Sequence, residues 1–178
     1  MNRLTRLFSI TAGLLGAALI FGCTDELSAP TGPAFAVAPW EPVSDFTRCK
    51  PQPYAVASGW IGPKGGILRA GKHYLKVPPG ALSTSRWITM ESPSGYLNRV
   101  VFQPEGLVFN SEASPHLVMS YTNCLVTQEA EQKVAYVNES LTILETPPSV
   151  ADPLSSTVDA KLCHFSEYVL LSTYAVVY

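Results

Sequence analysis

The sequence predicts an all-β protein, a single antiparallel β-sandwich that follows a leader and a proline-rich linker. Three observations carry that expectation. Short runs with alternating apolar and polar residues recur after Cys49. Gly, Pro, Asn or Ser separates one run from the next. No stretch beyond residue 22 has convincing helical periodicity, and only residues 128–133 suggest one short turn.

Composition bounds the function. The chain has 178 residues, of which 47% are apolar and 15% charged, too apolar for a disordered chain. Twelve Lys and Arg face 14 Asp and Glu, so the basic footprint of a nucleic-acid binder is absent. Three histidines and four scattered cysteines leave little material for a metal site, and no cofactor motif occurs.

Residues 1–22 read as an export signal. Arg3 and Arg6 precede an uncharged, mostly apolar run from Leu7 to Phe21. That run is short of the roughly 20 residues a membrane span needs and suits the core of a secretory signal. It ends Leu19-Ile20-Phe21-Gly22-Cys23, which resembles the bacterial lipobox, with Phe21 where a smaller residue is commoner. The resemblance implies cleavage after Gly22, acylation of Cys23 and a membrane anchor. Each buried methylene contributes about 0.8 kcal/mol, so two or three chains hold firmly. Thr24 in place of Asp after the cysteine implies the outer membrane of a didermic envelope.

Residues 23–48 then read as the lipidated cysteine and a flexible linker, with Pro30, Pro33, Pro39 and Pro42 and no periodicity. Its ends would lie roughly 25–30 Å apart as a coil. Trp40 and Phe46 are the residues expected to dock its far end.

Residues 49–178 form the expected sandwich, a normal size for one. In His73-Tyr74-Leu75-Lys76-Val77, Leu75 and Val77 share one face. In Trp87-Ile88-Thr89-Met90-Glu91, Ile88 and Met90 point inward. Leu117, Met119 and Tyr121 share a face in the next run. Residues 134–137 and 141–144 flank Asn138-Glu139-Ser140, a hairpin signal. Residues 168–178, rich in β-branched and aromatic side chains, read as a buried final strand. Gly71 suits a turn that needs positive φ. Pro78-Pro79-Gly80 must end the strand running to Val77, because neither proline can donate to a ladder. Pro104-Glu105-Gly106 is a second such turn.

These last motifs carry a resemblance. Gly65-Gly66, Val77-Pro78-Pro79-Gly80-Ala81-Leu82, Ile88-Thr89, the segment from Phe102 through Pro104-Glu105-Gly106 to Phe109, and His164-Phe165-Ser166-Glu167-Tyr168 together resemble a ZU-5 domain. That β-sandwich is shared by zonula-occludens proteins, netrin receptors and ankyrins. The chain also looks like a group of bacterial lipoproteins built on the module. The animal relatives work through companion domains that have no counterpart here, so their signalling and cytoskeletal roles do not transfer.

Several constellations merit a chemical reading. His164-Phe165-Ser166 resembles the self-cleavage motif of some ZU-5-containing proteins, in which the Ser166 hydroxyl would attack the Phe165 carbonyl with help from His164. The structural alternative packs Phe165 in the core while His164 and Ser166 satisfy nearby backbone. An exported chain favours disulfides. Cys49, Cys124 and Cys163 allow three single pairings. Cys49–Cys124 is preferred because both lie in irregular segments, while Cys163 reads as a small buried hydrophobe. Trp60, Trp87, Tyr54, Tyr74 and Tyr96 are either a sugar-binding platform or aromatics of a β core. His73 and His116 have no carboxylate or cysteine at metal-ligand spacing. Glu91, Glu105 and Glu112 form no recognisable acid/base pair. The expectation is thus a lipid-anchored, non-enzymatic envelope protein with a structural or binding role. Self-processing and carbohydrate binding are the alternatives.

Overall fold

The computed structural model describes residues 43–127 and 130–174. The signal at 1–22, the acylation site Cys23 and the docking residue Trp40 lie outside the described residues. The strands run in chain order as β1 (Val43–Phe46), β2 (Arg48–Gln52), β3 (Ala55–Ile61), β4 (Gly66–Ala70), β5 (His73–Val77), β6 (Arg86–Ser92) and β7 (Gly95–Leu97). They continue as β8 (Arg99–Gln103), β9 (His116–Ser120), β10 (Glu131–Val137), β11 (Ile143–Glu145), β12 (Ser149–Asp152), β13 (Thr157–Lys161) and β14 (Glu167–Tyr174). A single 3₁₀ turn, Ser111–Ala113, is the one helical element among the described residues. The fold is all-β and antiparallel throughout, a sandwich of a seven-stranded and a five-stranded sheet.

The larger sheet runs β11-β10-β14-β8-β6-β3, and the smaller runs β12-β13-β9-β5-β4. A separate ribbon pairs β2 with β7. The core lies between the two sheets, where alternate residues meet. Ile88, Met90 and Phe102 come from the larger sheet, and Leu75, Leu117 and Met119 from the smaller, all fully buried. Tyr121 is buried with Leu117 and Met119, as the alternation requires. Val118, on the outer face of the same strand, is buried too.

The domain begins earlier than Cys49. β1 pairs with β14 in register from Val43↔Tyr174 to Phe46↔Leu171, so the end of the expected linker is sheet. The reason is the length of β14, which outruns β8. β8 pairs only residues 167–169, and β1 takes the same edge from residue 171 onward. Thr47 seals the junction. Its amide donates to the Leu170 carbonyl at 2.9 Å, and its buried hydroxyl donates to Gln132 Oε1 at 3.2 Å. Phe46 packs on a second small cluster of Ala135, Val137, Val169 and Leu171, on the outer face of the sheet. The docking role expected of Phe46 is therefore met.

Two other local differences have simple causes. The short turn expected within 128–133 gives way to strand from Glu131, because β10 pairs along β14 from Glu131↔Thr173. The hairpin after β10 does form, around Asn138, whose Oδ1 accepts from the amides of Ser140 and Thr142 at 3.0 and 2.9 Å. Leu141 takes φ +59° there, so β11 starts only at Ile143.

Gly71 has φ +59° in the β4–β5 turn. Gly65 has φ +73°, and a Cβ there would collide with the Val77 carbonyl and the Pro78 backbone. The Gly80 amide donates to Pro63 O at 2.9 Å, which locks the β3–β4 turn beneath the turn that ends β5. The Gly65-Gly66 and Val77–Gly80 motifs thus form one packed corner.

Candidate functional site

Alternation in β3 exposes Val56, Ser58 and Trp60, and alternation in β6 places Trp87, Thr89 and Glu91 beside them. The two strands pair in register, Trp60↔Trp87 and Ser58↔Thr89. Trp60 is 71% and Trp87 52% exposed, so neither ring belongs to the core. Their centroids lie 5.6 Å apart with the planes at 72°. Ser58 Oγ and Thr89 Oγ1, the next pair along the same face, hydrogen-bond at 2.8 Å. Gln103 follows Thr89 in register on β8, and Val101 follows Glu91. Farther along, Arg99 Nη1 donates to Glu167 Oε1 at 2.9 Å. The outer face of the larger sheet therefore carries an aromatic corner beside a row of hydroxyl, amide and carboxylate groups.

The other aromatics expected in a platform lie elsewhere. Tyr54 and Tyr96 are exposed, but they sit in the β2–β3 connection and on β7. Tyr74 is on the opposite sheet, under the Arg69 guanidinium at 4.8 Å. Spacing along the chain cannot group Trp60 with Trp87 and separate them from Tyr74. Only strand pairing does that. The flanking Ser58, Thr89 and Gln103 were missed for the same reason.

The His164-Phe165-Ser166 segment is embedded in the core. Phe165 is fully buried and stacks on Phe102 with centroids 4.4 Å apart and planes at 9°. Its amide donates to Leu107 O at 2.9 Å, and its carbonyl accepts from the Gly106 amide at 2.8 Å. His164 Nδ1 lies 3.5 Å from that carbonyl. Ser166 is buried and its carbonyl accepts from the Phe102 amide. No hydrogen bond joins Ser166 Oγ to His164 among the described residues, and no residue of the segment has positive φ. The Tyr168 hydroxyl donates to His164 O at 2.6 Å, and burial pushes its phenol pKa far up, with Glu145 and Tyr136 adding to the shift.

Cys49 and Cys124 are disulfide-bonded across a sequence separation of 75. They also form an isolated bridge that ties β2 to the segment after β9. Cys163 is only half-buried and is not a free thiol, which corrects its reading as a small buried hydrophobe. His116 does have a carboxylate neighbour that sequence spacing hid. Its Nδ1 lies 2.7 Å from Asp159 Oδ1 across β9 and β13, part-exposed on the outer face of the smaller sheet. No group of three metal-ligating side chains occurs among the described residues.

No protein-family model matches the chain, and no curated protein matches its sequence.

Proposed function

We propose that this chain is a lipid-anchored, ZU-5-like β-sandwich of a bacterial cell envelope, which works by binding and not by turnover of external substrates. The Trp60–Trp87 corner is its binding face, and a carbohydrate chain is the ligand class. The single observation that carries this reading is the exposure of two tryptophans on a strand pair whose neighbours are hydroxyls and an amide. Adjacent exposed aromatic rings rimmed by polar groups are the kind of apolar patch that marks an interaction site. A pyranose offers an apolar ring face with hydroxyls at its rim, which matches indole flanked by Ser58, Thr89 and Gln103. The 72° angle between the rings forms a corner. A corner suits a single soluble glycan chain better than the flat surface of a crystalline polysaccharide.

Affinity electrophoresis against soluble polysaccharides, read together with tryptophan fluorescence, tests the binding face. Trp60→Ala and Trp87→Ala are each expected to weaken retention by about tenfold or more, a loss typical of a buried aromatic contact. Tyr74→Ala, on the other sheet, is expected to change nothing. A panel with no retained glycan, or equal retention by the Trp variants, rejects the site. The anchor is tested separately. Wild type should partition into detergent and Cys23→Ser should not. Recovery of Cys23 in a disulfide-linked peptide, and not as an acylated N-terminus, rejects the anchor.

Self-processing remains the competing reading, because the Phe165 carbonyl accepts one amide and faces His164 Nδ1. A neutral serine is a weak nucleophile without a base in contact. The expected mass of the purified chain is therefore that of uncut protein. A 13-residue fragment starting at Ser166, lost in Ser166→Ala, would favour self-processing.

A further inference from the structure

Three side chains that line one cavity each carry a buried polar atom without a hydrogen-bond partner among the described residues. The cavity, about 170 Å³, opens between β2, the β4–β5 turn and the segment after β9. Pro51, Pro53 and Asn123 stand at its exposed mouth, and His73 and Ser92 are buried at its floor. Gln52 Nε2, Lys72 Nζ and His73 Nε2 are all buried, and none has a hydrogen-bond partner among the described residues. His73 is 1% exposed, and its Nδ1 accepts from the Ser120 amide at 3.2 Å. Nδ1 is thus the unprotonated nitrogen, and Nε2 carries the hydrogen. All three are donors, and the one other orphaned atom among the described residues, the acceptor Asn98 Oδ1, is not in the lining. Buried donors without acceptors are rare and costly.

We propose that this cavity is a binding site for the carboxylate of a small monoanion, held by Lys72 Nζ, His73 Nε2–H and the Gln52 amide. Donor chemistry on three sides selects an acceptor-only group. Charge selects the class. Lys72 is the one formally charged side chain in the lining, and the burial that lowers its pKa leaves its charge in need of an anion. His73 is held neutral by burial and by Lys72. One positive charge balances a carboxylate and not a phosphate dianion. Pro51, Pro53 and Ala55 provide apolar wall for a short carbon chain, and the space of about five waters accommodates one. The site is independent of the Trp60–Trp87 face, which lies on the outer side of the other sheet.

The test is a titration of the mature chain with sodium acetate at fixed ionic strength, followed by ¹⁵N resonances of the His73 imidazole. A saturable shift of Nε2 is expected. Lys72→Met should weaken it by about tenfold, the usual cost of losing a charge-assisted hydrogen bond. Lys64→Met, an exposed lysine outside the lining, should leave it unchanged. Gln52→Leu provides a second weakening variant whose fold does not depend on Lys72. A shift that grows linearly without saturation, or equal affinity in Lys72→Met and wild type, overturns the proposal. Tighter binding of inorganic phosphate than of acetate overturns the assignment to a carboxylate.

Discussion

His73 shows what a single position can hide. Its place in an alternating run is legible, since His73, Leu75 and Val77 must share a face. That this face is the core, and that the imidazole is then buried with its Nδ1 accepting from the Ser120 amide, depends on pairing with β9. Burial first, and Lys72 second, bring its pKa down from 6.5 to about 4. The unfolded chain takes up a proton near pH 6.5 that the folded chain refuses until about pH 4. Stability associated with His73 is therefore complete above pH 6.5 and is lost as pH falls toward 4, by roughly 3 kcal/mol. Acid titration followed by imidazole resonances should find His73 neutral at pH 5, while urea midpoints fall between pH 6.5 and 4. A His73 that titrates near 6.5 in the folded chain contradicts this account.

At the level of elements, strands with strict alternation were readable and strands built from small residues were not. β5 and β6 follow from their own patterns. β3, with Ala55, Ala57 and Gly59 on its inner face, has too little apolar contrast to stand out, yet it holds half of the aromatic corner. A Cβ at Gly59 would meet Leu68 Cδ2 at 3.4 Å, at the edge of ordinary van der Waals contact. The turns were more legible than the strands, because proline and glycine declare them. They also differ in what they tolerate. Gly65 and Gly106 both have positive φ, near +70°, but only Gly65 abuts other backbone. Gly106→Ala should cost about 1 kcal/mol from φ strain alone. Gly65→Ala adds a collision with the Val77 carbonyl and should cost at least about 2 kcal/mol more, enough to prevent folding in a marginal domain. Paired denaturation curves of the two variants check the contrast.

Across the whole molecule, the disulfide has most of its effect in the unfolded chain. Closing a 75-residue separation removes chain entropy equivalent to about 4 kcal/mol. Cys49→Ser with Cys124→Ser should lower the denaturant midpoint by a matching amount, and non-reducing peptide maps of wild type should contain the Cys49–Cys124 pair. The preference for this pair was legible, although only Cys124 lies outside the strands as expected and Cys49 sits in β2. The domain boundary was not, because prolines up to Pro42 mask a strand that starts at the very next residue.

That boundary and that bond together set how the domain bears load. A pull on the chain ahead of Val43 acts first on β1, an edge strand held by its ladder to β14 and by the Thr47 contacts. Peeling can proceed through residues 43–48 and release about 20 Å of chain. It then reaches Cys49 within the ribbon, where force passes through a covalent bond into the segment after β9. The oxidised domain thus has a short, recoverable slack and then a hard stop, while a reduced one would go on unravelling from the same end.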